Sequence, residues 1–148
     1  MTYILDNLWP ILVATMASFA FGALYYGLLA KPWMAAAGLT VERIKAAGSA
    51  TYASYAISFA AEFWIACILA GAIILAPPEA GPWTMAIGSA VVIWIGFVLP
   101  TILVNNRYGM RPFRLTVIDA GHWLGVFLVQ VIVMQAWGLV APAGRAAS

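Results

Sequence analysis

The chain has 148 residues, of which 65% are hydrophobic and 8% charged, with a formal net charge of +2 and a mean hydropathy of +0.97. Soluble domains ordinarily carry about 25% charged residues, so this composition excludes an ordinary water-soluble domain. So small a net charge does not argue for a nucleic-acid partner. A single cysteine, Cys67, excludes an intrachain disulfide and a cysteine-based zinc site, and its apolar surroundings mark it as a small packing residue.

Four apolar runs, each of at least 22 residues, fill most of the chain: Trp9 to Ala30, Ala50 to Leu75, Trp83 to Val104 and Val117 to Leu139. About 20 helical residues cross a hydrocarbon core of roughly 30 Å. The ~10-residue alternating segments of a barrel are absent, which leaves helices as the way to satisfy backbone amides in lipid. Residues 1–148 therefore read as one all-α membrane domain of four transmembrane helices in a small bundle.

The first run opens with Pro10 in its first turn, where no amide donor is required. No Lys or Arg precedes Lys31, and the run is long enough to span, so it reads as a retained helix rather than a cleaved signal peptide. Ala14, Ser18 and Gly22 line one of its faces. A basic loop with Lys31, Arg43 and Lys45 follows.

In the second run Ala46, Ala50, Ser54, Ser58, Glu62, Ala66 and Ala70 recur every fourth residue, a stripe of small side chains on one helix face. Such stripes let helices approach closely in lipid, and a pore lining is the other use. Glu62 belongs to this stripe, so it faces protein near the middle of the span. A charge at the bilayer centre costs upwards of ~2.5 kcal/mol. Glu62 is therefore either a proton- or cation-handling group or a hydrogen-bonded lock between helices. Twelve residues from Ala50 to Glu62 and thirteen from Val117 to Gln130 place the two at similar depth, and Gln130 is its expected partner.

A Pro77-Pro78 turn with Glu79 leads into the third run, where Pro100 should kink the helix or loosen its last turn. Arg107, Arg111 and Arg114 then form a second basic loop, suited to setting topology and to meeting anionic lipid head groups. The fourth run begins with Thr116-Val117-Ile118-Asp119, a capping-box pattern that predicts a helix start at Thr116 with Asp119 folded back on its amides. Gln130 and His122 each lie within ~60° of Asp119 around this helix, and the three make a polar face. His122 reads as a hydrogen-bonded core residue, since an Asp-x-x-His pair supplies two ligands, short of a zinc site. Gly121 and Gly125 offer close approach.

Six basic residues in the two loops stand against Arg145 alone on the other side. The positive-inside rule then places both loops in the cytoplasm and both termini outside, as two outside-in-outside hairpins. Trp9, Trp33, Trp83 and Trp137 sit at run ends, where indoles favour the interface.

The string Phe21-Gly22-Ala23-Leu24-Tyr25-Tyr26-Gly27, with Lys31-Pro32-Trp33-Met34 and Gly38-Leu39, resembles the opening signature of an uncharacterised bacterial membrane family, domain of unknown function 1761. Trp94-Ile95-Gly96-Phe97, Asn105, Arg111-Pro112 and Ile118-Asp119-Ala120-Gly121-His122 resemble its second half. Tyr25 stands where a Trp is expected, and Glu62 lies outside the pattern. The resemblance implies a four-helix membrane protein and supplies no activity.

No phosphate loop, His-Glu-x-x-His motif or haem-binding histidine pair is present, so the expectation is a non-enzyme without metal or cofactor. Two functional classes follow. One is a structural or accessory membrane protein, as a homo-oligomer or part of a larger complex, with the lipid bilayer as a partner. The other is a small transporter or channel component using Glu62 and the polar face of the fourth helix. The topology has a direct test: an Arg111→Cys variant is labelled by an impermeant maleimide only from the cytoplasmic side, and labelling only from the outside overturns the orientation.

Overall fold

The computed structural model describes residues 2–141, so Arg145 lies outside it. Every element among the described residues is helical. The chain starts with a short helix, α1 (Thr2–Asp6), and turns at Asn7 into α2 (Leu8–Leu28). After Leu29 comes α3 (Ala30–Ala37), which ends at Gly38. The φ of 68° at Gly38 is a left-handed conformation that glycine adopts without steric cost, and it lets the Leu39 amide reach the Met34 carbonyl at 2.9 Å. Thr40 caps α4 (Val41–Ala46), its hydroxyl accepting the Arg43 amide at 3.2 Å. The expected loop between the first two spans is thus largely two short helices.

The second span is α5 (Ser49–Leu75). A 3-10 turn at Pro78–Ala80 leads to α6 (Pro82–Ile93), which passes through a π-helical segment (Trp94–Val98) into α7 (Leu99–Tyr108). Pro100 cannot donate to the carbonyl four residues back, and its ring crowds that carbonyl. The widened turn just before it absorbs the mismatch, so the helix continues rather than loosening at its end. The fourth span is α8 (Phe113–Trp137). Four continuous helical stretches, Leu8–Leu28, Ser49–Leu75, Pro82–Tyr108 and Phe113–Trp137, are long and apolar enough to cross a membrane.

The start of α8 departs from the capping reading. The helix begins at Phe113, with the extended Pro112 before it (φ −62°, ψ 145°), and Thr116 lies one turn inside. The proline supplies the boundary by itself, since its carbonyl already accepts the Leu115 amide at 3.0 Å. Asp119 is too far along to cap anything.

α8 is central. It packs against α2, α5, α6, α7 and α3, most extensively against α2. The α2–α8 contact is built from glycines facing rings in both directions. A Cβ on Gly22 of α2 would lie 2.8 Å from Nε2 of His122 on α8. A Cβ on Gly121 of α8 would lie 2.8 Å from the Tyr25 hydroxyl, and one on Gly125 would overlap the Phe21 ring, both rings belonging to α2. Below these pairs, Ile11, Ala14, Ala66, Leu69, Ala70, Phe127, Val131 and Met134 form the buried core.

Two clasps secure the end remote from the basic loops. The Asn7 amide nitrogen donates to the Val140 carbonyl at 2.9 Å while its oxygen accepts the Val140 amide at 2.7 Å. The Tyr3 hydroxyl donates to the Cys67 carbonyl at 3.1 Å. The small-residue stripe of α5 is used only in part. Glu62, Ala66 and Ala70 are buried, whereas Ala50, Ser54 and Ser58 are exposed, and Ala46 falls in α4, off this helix.

Gly125→Leu should lower the thermal stability of the detergent-solubilised protein by about 1–3 kcal/mol, since its side chain would overlap the Phe21 ring and force that ring or α2 to shift. Gly88→Leu, at a position whose Cβ would meet nothing within 4 Å, should leave it nearly unchanged. Equal effects at the two sites would contradict the close approach.

Candidate functional site

Two polar centres lie along the α2–α8 contact. The inner one joins three spans. Ser18 of α2 donates from Oγ to Oε2 of Glu62 on α5 at 2.5 Å. Gln130 of α8 donates from Nε2 to Ser18 Oγ at 3.0 Å and to the Glu62 backbone carbonyl at 2.9 Å. All three residues are buried, and Gln130 has no exposed surface. The expected pairing of the Glu62 carboxyl with the Gln130 amide is therefore replaced. The two meet at the same depth, but the carboxyl is held by Ser18, and the amide reaches only the backbone of Glu62. A depth comparison of two helices cannot see the third, and Ser18 is small enough to sit between them. The Gln130 Oε1 atom is buried without a hydrogen-bond partner.

The outer centre lies near the end that carries the basic loops. Six residues into α8, about 9 Å along its axis, Oδ1 of Asp119 accepts the Tyr26 hydroxyl at 3.0 Å and the Trp33 indole nitrogen at 3.1 Å. Tyr26 closes α2 and Trp33 belongs to α3, so the carboxyl draws the short helix back over the end of the first span. Trp33 is turned inward by this bond, unlike the exposed Trp9, Trp83 and Trp137. His122, one turn further, lies among aromatic rings, with centroids 4.7 Å from Tyr26, 5.6 Å from Tyr25 and 5.4 Å from Trp123. Its Nδ1 is buried without a partner, so His122 is held by tilted and edge-on ring contacts, with Phe21 stacked at 6.3 Å, rather than by the hydrogen bond expected.

Beside Asp119 a cleft of about 520 Å³ opens between α3, α7 and α8. Its walls include Tyr26, Trp33, Trp123, Asn105, Asn106 and Arg111. The Asn106 amide donates to the Thr116 hydroxyl at 3.2 Å, and the Arg111 guanidinium donates to the Ala37 carbonyl at 3.2 Å, which ties the α7–α8 turn to α3. That turn holds Met110 at φ 52°, a conformation costly for a side-chain-bearing residue, and brings the Arg111 amide to the Asn106 carbonyl at 2.8 Å. Arg107 donates to the Arg111 carbonyl and lies over the Phe113 ring at 5.8 Å. Arg114 is exposed.

The polar face of α8 is thus divided. Asp119 and His122 belong to the outer centre and Gln130 to the inner one, with Phe21 packed over Gly125 between them. Among the described residues no group of three His, Cys, Asp or Glu is arranged to hold a metal. Ser18, Tyr26, Trp33 and Asn106 were not singled out by their chemistry in the sequence. Three of them are polar or aromatic residues near span ends, a position ordinarily explained by the interface.

The fold and its polar contacts define a multi-pass membrane protein. The chain belongs to the family described as protein of unknown function (DUF1761), which matches residues 9–135. No curated protein and no solved structure matches it.

Ser18→Ala leaves the Glu62 carboxyl buried without its donor and should cost about 1–3 kcal/mol. Glu62→Gln keeps an oxygen for Ser18 and should cost less than about 1 kcal/mol, in line with the small average worth of interhelical bonds in lipid. Thermal unfolding in detergent gives the ranking, and its reversal would contradict Ser18 as the partner of the carboxyl.

Proposed function

We propose that the protein is a non-catalytic structural or accessory component of a bacterial inner membrane, with both termini outside, that assembles with further copies of itself. The supporting observation is the first half of α5. From Ser49 to Ala60 every residue except Thr51 and Phe59 is exposed, and the Phe59 ring, edge to face with Phe19 at 5.5 Å, ties the stretch to α2 while its small-residue face stays uncovered. It carries Ala50, Ser54 and Ser58, the part of the stripe that the fold leaves unused. Small residues in register are what a second helix needs for close approach in lipid. The Ser54 hydroxyl is already satisfied by the Ala50 carbonyl at 3.0 Å, so Ser54 can meet another apolar helix without stranding its donor.

Transport through the chain is the second reading. It is favoured by the unpartnered Gln130 Oε1 beside the Glu62 network and opposed by Phe21, which packs between the inner and outer centres. Loss of ion or proton flux from vesicles in Glu62→Gln, with stability retained, would favour it.

Symmetric pairing along the stripe brings equivalent residues together. In a Cys67→Ala background, Ser54→Cys should give a covalent dimer on mild oxidation of native membranes. Ala56→Cys, about 160° around the helix, should remain monomeric. Absence of the Ser54→Cys dimer, or equal cross-linking at both positions, would overturn self-assembly through this face.

A further inference from the structure

We propose that the cleft beside Asp119 binds an aminophosphate zwitterion, a primary ammonium joined by a short link to a phosphate, as in an ethanolamine phospholipid headgroup. At its inner end is a carboxyl whose hydrogen bonds among the described residues both fall on Oδ1 and come from neutral donors, Tyr26 and Trp33. No Lys, Arg or His of the described chain forms an ion pair with it. Oδ2 is left as an acceptor for an outside donor, and a carboxylate in such surroundings takes a cation with N–H groups best.

The walls are suited to the same charge. Tyr26, Trp33 and Trp123 border the cleft with aromatic rings, and a cation over such rings is attracted to their faces. Tyr26 and Trp33 are fixed edge to face, centroids 5.4 Å apart, so neither has to be ordered on binding.

The opposite charge has its place on the same cleft. Arg111 uses one guanidinium nitrogen on the Ala37 carbonyl, which leaves most of its five N–H donors for a phosphate. Asn105, which forms no side-chain hydrogen bond among the described residues, adds an amide next to it. One carboxylate and one guanidinium on a single cleft match a ligand carrying both charges better than an anion or a cation alone. The volume of about 520 Å³ falls in the ordinary range for small-ligand sites.

Asp119 lies about 9 Å inside the start of α8, at the end of the bundle that carries the basic loops. The ligand's chemistry is common to a membrane lipid and to free phosphoethanolamine, and the test separates them. Purified protein in detergent is titrated with short-chain phosphatidylethanolamine, phosphatidylcholine, phosphatidylglycerol and phosphoethanolamine, read by the fluorescence of Trp33 and Trp123 against Trp33→Phe and Trp123→Phe controls.

The ethanolamine lipid should bind at least ~10-fold more tightly than the choline lipid, which lacks N–H donors, and than the glycerol lipid, which lacks a cation. Asp119→Asn preserves an acceptor for Tyr26 and Trp33, so it should keep its unfolding temperature while weakening binding ~10-fold or more. Arg111→Gln should weaken it as well. Binding of the lipid with none of phosphoethanolamine assigns the site to the membrane, and equal binding of both assigns it to a soluble ligand. Equal affinity for the three lipids, or unchanged affinity in a folded Asp119→Asn protein, would overturn the proposal. Neither outcome depends on self-assembly through α5.

Discussion

The close approach of α2 and α8 is the constraint on which the rest of the molecule depends. Lipid offers little drive for burying apolar side chains, so helices must gain from contact itself. Here the gain comes from reciprocal fitting. Phe21 and Tyr25 of α2 enter the space over Gly125 and Gly121, and His122 of α8 enters the space over Gly22. Each helix supplies both the ring and the gap. Bringing the backbones this close also sets Ser18 within reach of Gln130 and lets Tyr26 reach Asp119. Both polar centres are consequences of one apolar fit.

The inner centre shows how a carboxyl is kept in such a place. Glu62 is held by a hydroxyl from a second span, and that hydroxyl is held by an amide from a third. Three helices are thereby fixed in depth relative to one another at a point where sliding along an apolar interface would otherwise cost little. The outer centre does comparable work at the end that carries the basic loops, where Asp119 gathers the end of α2 and the short α3.

Much of the fold is legible in the sequence, for a physical reason. An uninterrupted apolar stretch of about 20 residues has few solutions in lipid, so the existence of four spans follows from run length alone. Boundaries are less legible. Thr116-Val117-Ile118-Asp119 satisfies a local capping pattern, yet the Asp119 carboxyl is drawn to residues 93 and 86 positions away. Local patterns compete with partners that only the fold brings near. The same reason hides Ser18, whose small side chain suits packing and hydrogen bonding equally. Trp33 follows an interface rule until its indole finds a carboxylate. Glu62 and Gln130 could be matched in depth, but the atoms that join them could not be read from a count of two helices. The stripe on α5 is visible in full in the sequence, and only the structure shows that half of it goes unused.

Chain order gives the inner centre a history. A membrane protein is made from its first residue onward, and α2 and α5 are complete long before α8 is synthesised. Ser18 and Glu62 can meet as soon as those two spans are in place, so the carboxyl has a partner from early on. Gln130 arrives last, together with the rings and gaps that complete the α2 surface. Until then the α2 face that carries Ser18, Gly22 and the Phe21 and Tyr25 rings has no α8 to cover it. The newborn protein therefore passes through a stage in which its most interactive surface is bare, and the final span acts as its own intramolecular chaperone by covering it.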